Sequence, residues 1–319
     1  MLGGETDMQD TWIDTINTRE RRIMDLRTLG MAHALTLGRF TYSKAAKPLA
    51  NQCHARWLAI VFVLEGSQYY IIDGEGVVIH GGQALRLLPG ENFGTGAWPE
   101  QRGDVAWIIL EAEPHSGPWL GMTPDAAAEA MRILTSPGQP RVFPFCGTTA
   151  GLIRSILGDV GDPESAPAIG KSPLSDELIR HQVSTLILLA ARQSAGGRQA
   201  GLRVSASVRN TVSWLDSHFN SIPQVADLVN RSGLPPSRFH QEFRSLTGCS
   251  PRDYILRSRM VEAAKRLSGD GSLSITTLAH ALGFSSSQYF ATVFRRYFGT
   301  TPGDWRQQPA EPPTSRSPR

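Results

Sequence analysis

Two stretches near the C-terminus of this chain are versions of one another. Phe243-Arg244-Ser245-Leu246-Thr247-Gly248-Cys249-Ser250-Pro251 recurs 51 residues later as Phe294-Arg295-Arg296-Tyr297-Phe298-Gly299-Thr300-Thr301-Pro302. Upstream, Leu228, Val229 and Gly233 have counterparts in Leu278, Ala279 and Gly283 at an offset of 50, so the later copy has one extra residue between its turn and its second helix. The two units, 222–251 and 275–302, each read as a short helix, a glycine turn and a second helix. A duplicated unit of this kind restricts the C-terminal region to an all-helical module that presents the same surface twice.

Charge follows the repeat. Residues 207–307 carry 12 Lys/Arg against 7 Asp/Glu, whereas residues 1–206 carry 18 against 21. A net +5 on the duplicated segment and −3 on residues 1–206 favours a polyanionic partner for the former. Cys53, Cys146 and Cys249 are odd in number and widely spaced, which points to reduced thiols rather than a disulfide framework or zinc knuckle. Apolar runs such as Leu58–Leu64 are far short of the roughly 20 residues of a membrane helix, and MLGGETDMQD lacks an apolar leader, so a cytoplasmic protein with no membrane partner is expected.

Residues 1–30 read as an N-terminal arm, loose or with a short helix. From Trp57 the pattern turns strand-like: Trp57–Leu64 ends at Glu65-Gly66, Gln68–Ile72 at Asp73-Gly74, Val77–Ile79 at Gly81-Gly82 and Ala84–Leu88 at Pro89-Gly90, with Val105–Glu111 beyond. Short β-branched and aromatic runs punctuated by Gly and Pro predict a small all-β barrel or sandwich. Thr123–Leu134 and Gly147–Leu157 then read as helices, and Ser175–Arg192 as a stronger one, with Leu178, Ile179, Val183, Leu186, Ile187 and Ala190 at helical spacing. That helix either packs on its own barrel or forms a dimer seam. The Gly-rich linker 194–206 separates a domain over 31–193 from one over 207–307, and the Pro/Ser-rich tail 308–319 is expected to be disordered.

Within the repeat, Ser221 with Gln224 reads as a capping box, and Phe239/Phe243 and Phe290/Phe294 are expected to anchor the two second helices inward. The opposite faces then carry Ser237, Arg238, His240, Gln241 and Arg244 in one copy. In the other they carry Ser287, Gln288, Ala291, Thr292 and Arg295, flanked by Ser286 and Arg296. Hydroxyl, amide and guanidinium groups of this kind read base edges and grip phosphates. A helix from about Arg252 to Leu267 joins the copies; at 1.5 Å per residue it spans roughly 24 Å, enough to set two reading helices about one DNA turn apart.

The segment from about Val208 to Arg306 resembles the DNA-binding domain of the AraC/XylS transcription regulators. The resemblance is carried by Arg257–Leu267, by Ile275–Phe290 (ITTLAHALGFSSSQYF) and by Phe294–Pro302. It implies two helix-turn-helix subdomains, with base contacts from Ser237, His240, Gln241 and Arg244, then from Ser287, Gln288 and Thr292. Two departures stand out: Pro235-Pro236 opens the first recognition helix, and Ala291-Thr292 has little reach in the second. Leu64-Glu65-Gly66, Gly82, Leu88-Pro89-Gly90 and the Trp107 strand resemble the cupin-like barrel that precedes this domain in many members. The fold class that follows is α+β in two domains: an N-terminal cupin-like β-barrel with flanking helices and a C-terminal all-α double helix-turn-helix.

The barrel implied by the resemblance holds a small-molecule effector, such as a sugar. His54, Trp57, Tyr70, His80, Arg86, Trp98 and Trp107 are candidate lining residues or, equally, barrel core. With no H-x-H and with His54 and His80 on separate strands, no metal site, no cofactor and no catalytic residue is expected. The expected protein is a homodimeric, ligand-responsive regulator of double-stranded DNA, an activator that also meets RNA polymerase. Two alternatives stay open: a cupin-type enzyme with a DNA-tethering module, and a constitutive DNA-binding protein whose barrel serves only dimerisation.

Overall fold

The computed structural model describes residues 17–31, 33–42, 48–96, 100, 103–113, 122–158, 170, 172–196, 205–217, 223–247, 249–269 and 273–307. The chain divides into two compact units, with the main division after residue 202. In the first unit the described strands are β1 (Arg21–Asp25), β2 (Ala34–Tyr42), β3 (Gln52–Cys53), β4 (Trp57–Ile72), β5 (Glu75–His80), β6 (Gln83–Leu87), β7 (Asn92–Gly94), β8 (Gly103–Glu111) and β9 (Val142–Pro144). Helices α1 (Pro124–Thr135), α2 (Gly147–Leu157) and α3 (Pro173–Ser194) accompany them. Each strand pair is antiparallel, along the path β1-β2-β8-β4-β6-β9; β5 and β7 join the far half of β4, and β3 joins β7.

The sheet is not closed, which corrects the expected barrel. β1 and β9 terminate the path without pairing to one another. β9 is a three-residue strand ending in Pro144, which has no N–H to extend a ladder. At the other end, the Ile23 N–H of β1 is taken by the Asn17 side chain (2.6 Å), and Arg22 donates to the carbonyl of Leu157 at the C-terminus of α2 (2.7 Å). β1 itself lies inside the stretch expected to be a loose arm; its Ile23 and Met24 are buried.

A bulge decides the character of β4. Leu58, Ile60 and Phe62 join the core beneath the helices, and Ala59, Val61 and Val63 face the other way, as strand alternation requires. Sequence reasoning placed a turn at Glu65-Gly66. Instead the strand runs on, and the register slips by one residue between Val63 and Glu65. One inserted residue reverses the facing of everything after it. Gln68, Tyr70 and Ile72, all buried, therefore continue the Ala59–Val63 face, while Glu65 turns towards the helices and pairs with Arg154 of α2 at 3.6 Å.

The helix-side core gathers Leu37, Ile60, Phe62, Ala106 and Ile108 from the sheet with Leu134, Ile153, Val183 and Ile187 from the three helices. Two buried guanidinium groups tie these layers together. Arg39 forms a bidentate pair with Asp104 (2.8 and 2.9 Å) and donates to the Gly158 carbonyl (2.7 Å). Arg86, opposite Ile60 in the register, donates to the carbonyls of Ile133 (3.2 Å), Leu134 (2.7 Å), Ser136 (3.1 Å) and Pro140 (3.1 Å), and to that of Gln139. It thereby satisfies the carbonyls that the end of α1 leaves open.

The second unit holds α4 (Ala206–Ser217), α5 (Val225–Ser232), α6 (Pro236–Thr247), α7 (Pro251–Gly269), α8 (Ile275–Ala281), α9 (Ser287–Phe298) and α10 (Pro302–Gln307). It has two cores. Val208, Val212, Leu215, Leu228, Phe239 and Phe243 form one with Tyr254 and Ile255 from the start of α7. Leu278, Leu282, Phe290, Phe294 and Trp305 form the other with Met260, Ala263 and Leu267 from its end. α7 is thus a strut with one end in each copy of the repeat.

Arg86→Met keeps the stem of the side chain and removes the guanidinium donors from those carbonyls, though Ser136 keeps the Gln139 N–H (3.2 Å). It is expected to lower unfolding free energy by about 3 kcal/mol, read from the urea midpoint at unchanged m-value.

Candidate nucleic-acid interface

Each copy of the repeat assembles from local signals. In the first, the Asp227 carboxylate accepts from the Gln224 N–H (2.7 Å) to start α5; Ser221, expected in that cap, lies outside the described residues. In the second, the Ser274 hydroxyl accepts from the Thr277 N–H (3.0 Å) to start α8. The turns that follow sit on Gly233 (φ 66°) and Gly283 (φ 77°), a left-handed conformation that costs other residues about 1 kcal/mol or more. α6 then opens on Pro236, whose fixed φ suits a first helical position. α9 opens under Ser286, whose hydroxyl accepts from the Tyr289 N–H at 3.2 Å.

Phe239, Phe243, Phe290 and Phe294 are all fully buried. Since residues three and four apart share a helix face, this leaves Ser237, Arg238, His240, Gln241 and Arg244 exposed along the outer side of α6. On α9, Gln288, Thr292, Arg295 and Arg296 are exposed, with Ser286 and Ser287 half-buried. The two faces differ in how they are tied. Thr292 donates its hydroxyl to its own helix at the Gln288 carbonyl (3.0 Å), while Arg295 and Arg296 form no ion pair with a described residue. On α6, Arg238 is held by Glu242 at 2.8 Å.

Glu242 is a residue that sequence reasoning passed over; its only signal is the four-residue spacing from Arg238. Its side chain is 10 % exposed. Besides Arg238 it accepts the backbone N–H of Ser205 (2.7 Å), the residue before α4. That N–H, then the Arg238 guanidinium and the Ser205 hydroxyl, hold the carboxyl down to about 2. Tyr289 was passed over as well: it is 52 % exposed in the first turn of α9, its ring 5.9 Å from that of Phe284.

The effector candidates of the first unit do not form one set. Trp57, Tyr70 and Trp107 share the sheet face turned away from the helices, where the Trp107 indole lies so close over Gly38 that a Cβ there would meet it at 2.3 Å. Arg86 faces the helices, and His80 pairs with Ser67 on the face opposite Tyr70. His54 stands beside Phe93 (5.4 Å) at the edge, and Trp98 lies outside the described residues. Two residues that periodicity could not single out join the Tyr70 face: Tyr42, buried on β2, and Glu100, hydrogen-bonded to Tyr42. Burial pushes the Glu100 carboxyl up, and burial with the neighbouring Glu100 charge pushes both phenols up. Among the described residues no three His, Cys, Asp or Glu side chains gather as a metal ion would require.

Residues 228–308 match a helix-turn-helix domain family. The HTH-type transcriptional activator RhaS of Pectobacterium carotovorum subsp. carotovorum (strain PC1) is 34% identical over 152 residues, 48% of this chain and 51% of that protein. RhaS of Yersinia pestis (strain Pestoides F) is 28% identical over 189 residues, 57% of this chain and 68% of that protein. The matched segment thus spans about half to two thirds of these relatives. A crystal structure of a transcriptional regulator from Chromobacterium violaceum, described as an AraC-type DNA-binding domain-containing protein, is 27% identical. It covers 33% of this chain and 94% of that one, with a TM-score of 0.31.

A carboxyl held near 2 in the folded chain and near its ordinary value of about 4.3 in the unfolded one contributes stability in full above the unfolded value. That stability is lost as pH falls through the folded one. Glu242→Gln is therefore expected to melt below the wild type at pH 7, with the gap narrowing below about pH 4.5 and closing near pH 2, measured by thermal melts of the full chain across that range.

Proposed function

We infer that this chain, an AraC/XylS-family helix-turn-helix protein, is a sequence-specific DNA-binding transcription regulator that reads two successive major grooves with α6 and α9. The observation that carries the reading is the pair of inward phenylalanine anchors with an outward stripe of amide, hydroxyl and guanidinium groups, repeated within the segment that matches the helix-turn-helix family. α7, with 19 residues, is about 28 Å long, a spacing that suits two reading helices one turn apart on the same side of a duplex. Arg244, Arg295 and Arg296 supply phosphate contacts; His240, Gln241 and Gln288 supply base-edge contacts.

Regulation is assigned to the first unit. The face bearing Tyr42, Tyr70, Trp107 and Glu100 combines aromatic surface with a few polar groups, which suits a small-molecule effector. The RhaS relatives are transcriptional activators by name, which supports an activator. A dimer is supported by α3. Its inner side packs in the core, while Leu174 (80 %), Leu178 (57 %) and Leu188 (40 %) are exposed along the outer side. No catalytic step is assigned to any residue.

Selection of bound duplexes from random DNA by the full-length protein is expected to enrich two boxes about one helical turn apart. Enrichment of a single box, or of none with any added effector, overturns the reading. On the selected site, Arg295→Ala should weaken every sequence alike and lower the salt slope by about one. Gln241→Ala or Gln288→Ala should relax preference at one base pair, by about 1–3 kcal/mol. Leu174→Arg with Leu178→Arg should turn a sedimenting dimer into a monomer; an unchanged sedimentation coefficient removes α3 as the seam.

A further inference from the structure

The internal repeat makes Glu242 anomalous. At the offset of 51, its counterpart is Val293, a buried apolar residue of the second core. The position is built for packing, yet copy one places a carboxylate there and bears the cost of desolvating it. Helix stability does not account for the substitution. An Arg four residues before a Glu is the less favourable order of such a pair.

What the carboxylate does gain is two donors from different places. One oxygen accepts from the Ser205 backbone, whose own carbonyl starts the α4 ladder by accepting from Arg209; the other accepts from Arg238. A single side chain therefore links Ser205 at the end of the linker, the first recognition helix and a guanidinium on its reading face.

We propose that Glu242 is a positioning residue for DNA recognition: it fixes Arg238 in one orientation on α6, neutralises its charge towards phosphates, and ties α6 to the start of α4. The proposal rests on the DNA-reading function inferred above. Its consequence is a division of labour. α6, with its arginine neutralised, discriminates between sequences, and α9, with Arg295 and Arg296 unpaired among described residues, grips any duplex.

The test is a double-mutant cycle on the full-length chain with Glu242→Gln, Arg238→Ala and the double variant. Each is titrated with the selected duplex and an unrelated duplex over a range of salt. Glu242→Gln is expected to tighten binding to the unrelated duplex, steepen its salt slope by about one, and cut the ratio of selected to unrelated affinity roughly tenfold. In the Arg238→Ala background the same replacement is expected to change neither slope nor ratio. Glu242→Val, which installs the copy-two residue, should behave like Glu242→Gln and serves in its place should that variant fail to fold. An unchanged slope and ratio in Glu242→Gln, or an equal effect with and without Arg238, overturns the positioning role while leaving DNA reading intact. A wild type that does not distinguish the two duplexes overturns the underlying function instead.

Discussion

Burial of four phenylalanine rings orders the C-terminal half of this protein. Phe239, Phe243, Phe290 and Phe294 are each removed fully from water, and truncating any one to alanine would cost about 3–5 kcal/mol. Because each pair is separated by one helical turn, fixing it inward turns the opposite side of α6 and α9 to solvent, with Ser237, Arg238, His240, Gln241 and Arg244 on one and Gln288, Thr292 and Arg295 on the other. The same constraint explains α7. Tyr254 and Ile255 complete the Phe239/Phe243 core, and Met260, Ala263 and Leu267 complete the Phe290/Phe294 core, so two small subdomains share one rigid element.

Polar groups in the interior do a different job from the rings: they join elements that hydrophobic contact would let slide. Arg86 fixes the end of α1 to β6, Arg39 holds Asp104 and the residue after α2, and Glu242 holds the start of α4 to α6. Each is expensive to bury and each meets two or more hydrogen-bond partners, which lets a buried charge specify geometry. The repeat provides an internal control. Where Val293 stands, the second subdomain packs an apolar side chain; where Glu242 stands, the first is tied to the chain that enters it.

The N-terminal unit owes its two-faced sheet to one inserted residue. Without the slip between Val63 and Glu65, Tyr70 and Gln68 would face the helices and Glu65 would lose Arg154. Glu65-Gly66 looks like a turn in the sequence because Gly interrupts an apolar run, and Gly66 does adopt φ 89°, but a bulge uses the same freedom as a turn.

Much of the molecule was therefore legible from local pattern. The helix limits of α2 and α6, the glycine turns of the repeat, the inward phenylalanines and the outward polar residues follow from spacing of three and four, and spacing is a property of the chain alone. The duplicated unit and its resemblance also indicated the function class. Through-space matters were not legible. Whether the sheet closes depends on what meets its edge strands, here the Asn17 side chain on β1 and a proline at the end of β9. Arg86 reads as a polar residue on a strand; only folding brings five carbonyls from residues 133–140 to its guanidinium. Glu242 meets Ser205 across 37 residues of sequence, a separation at which periodicity carries no information. The sequence determined which faces the helices bury and which they show, because side-chain period is local. Tertiary structure alone decided which buried charges meet, because that depends on how elements pack.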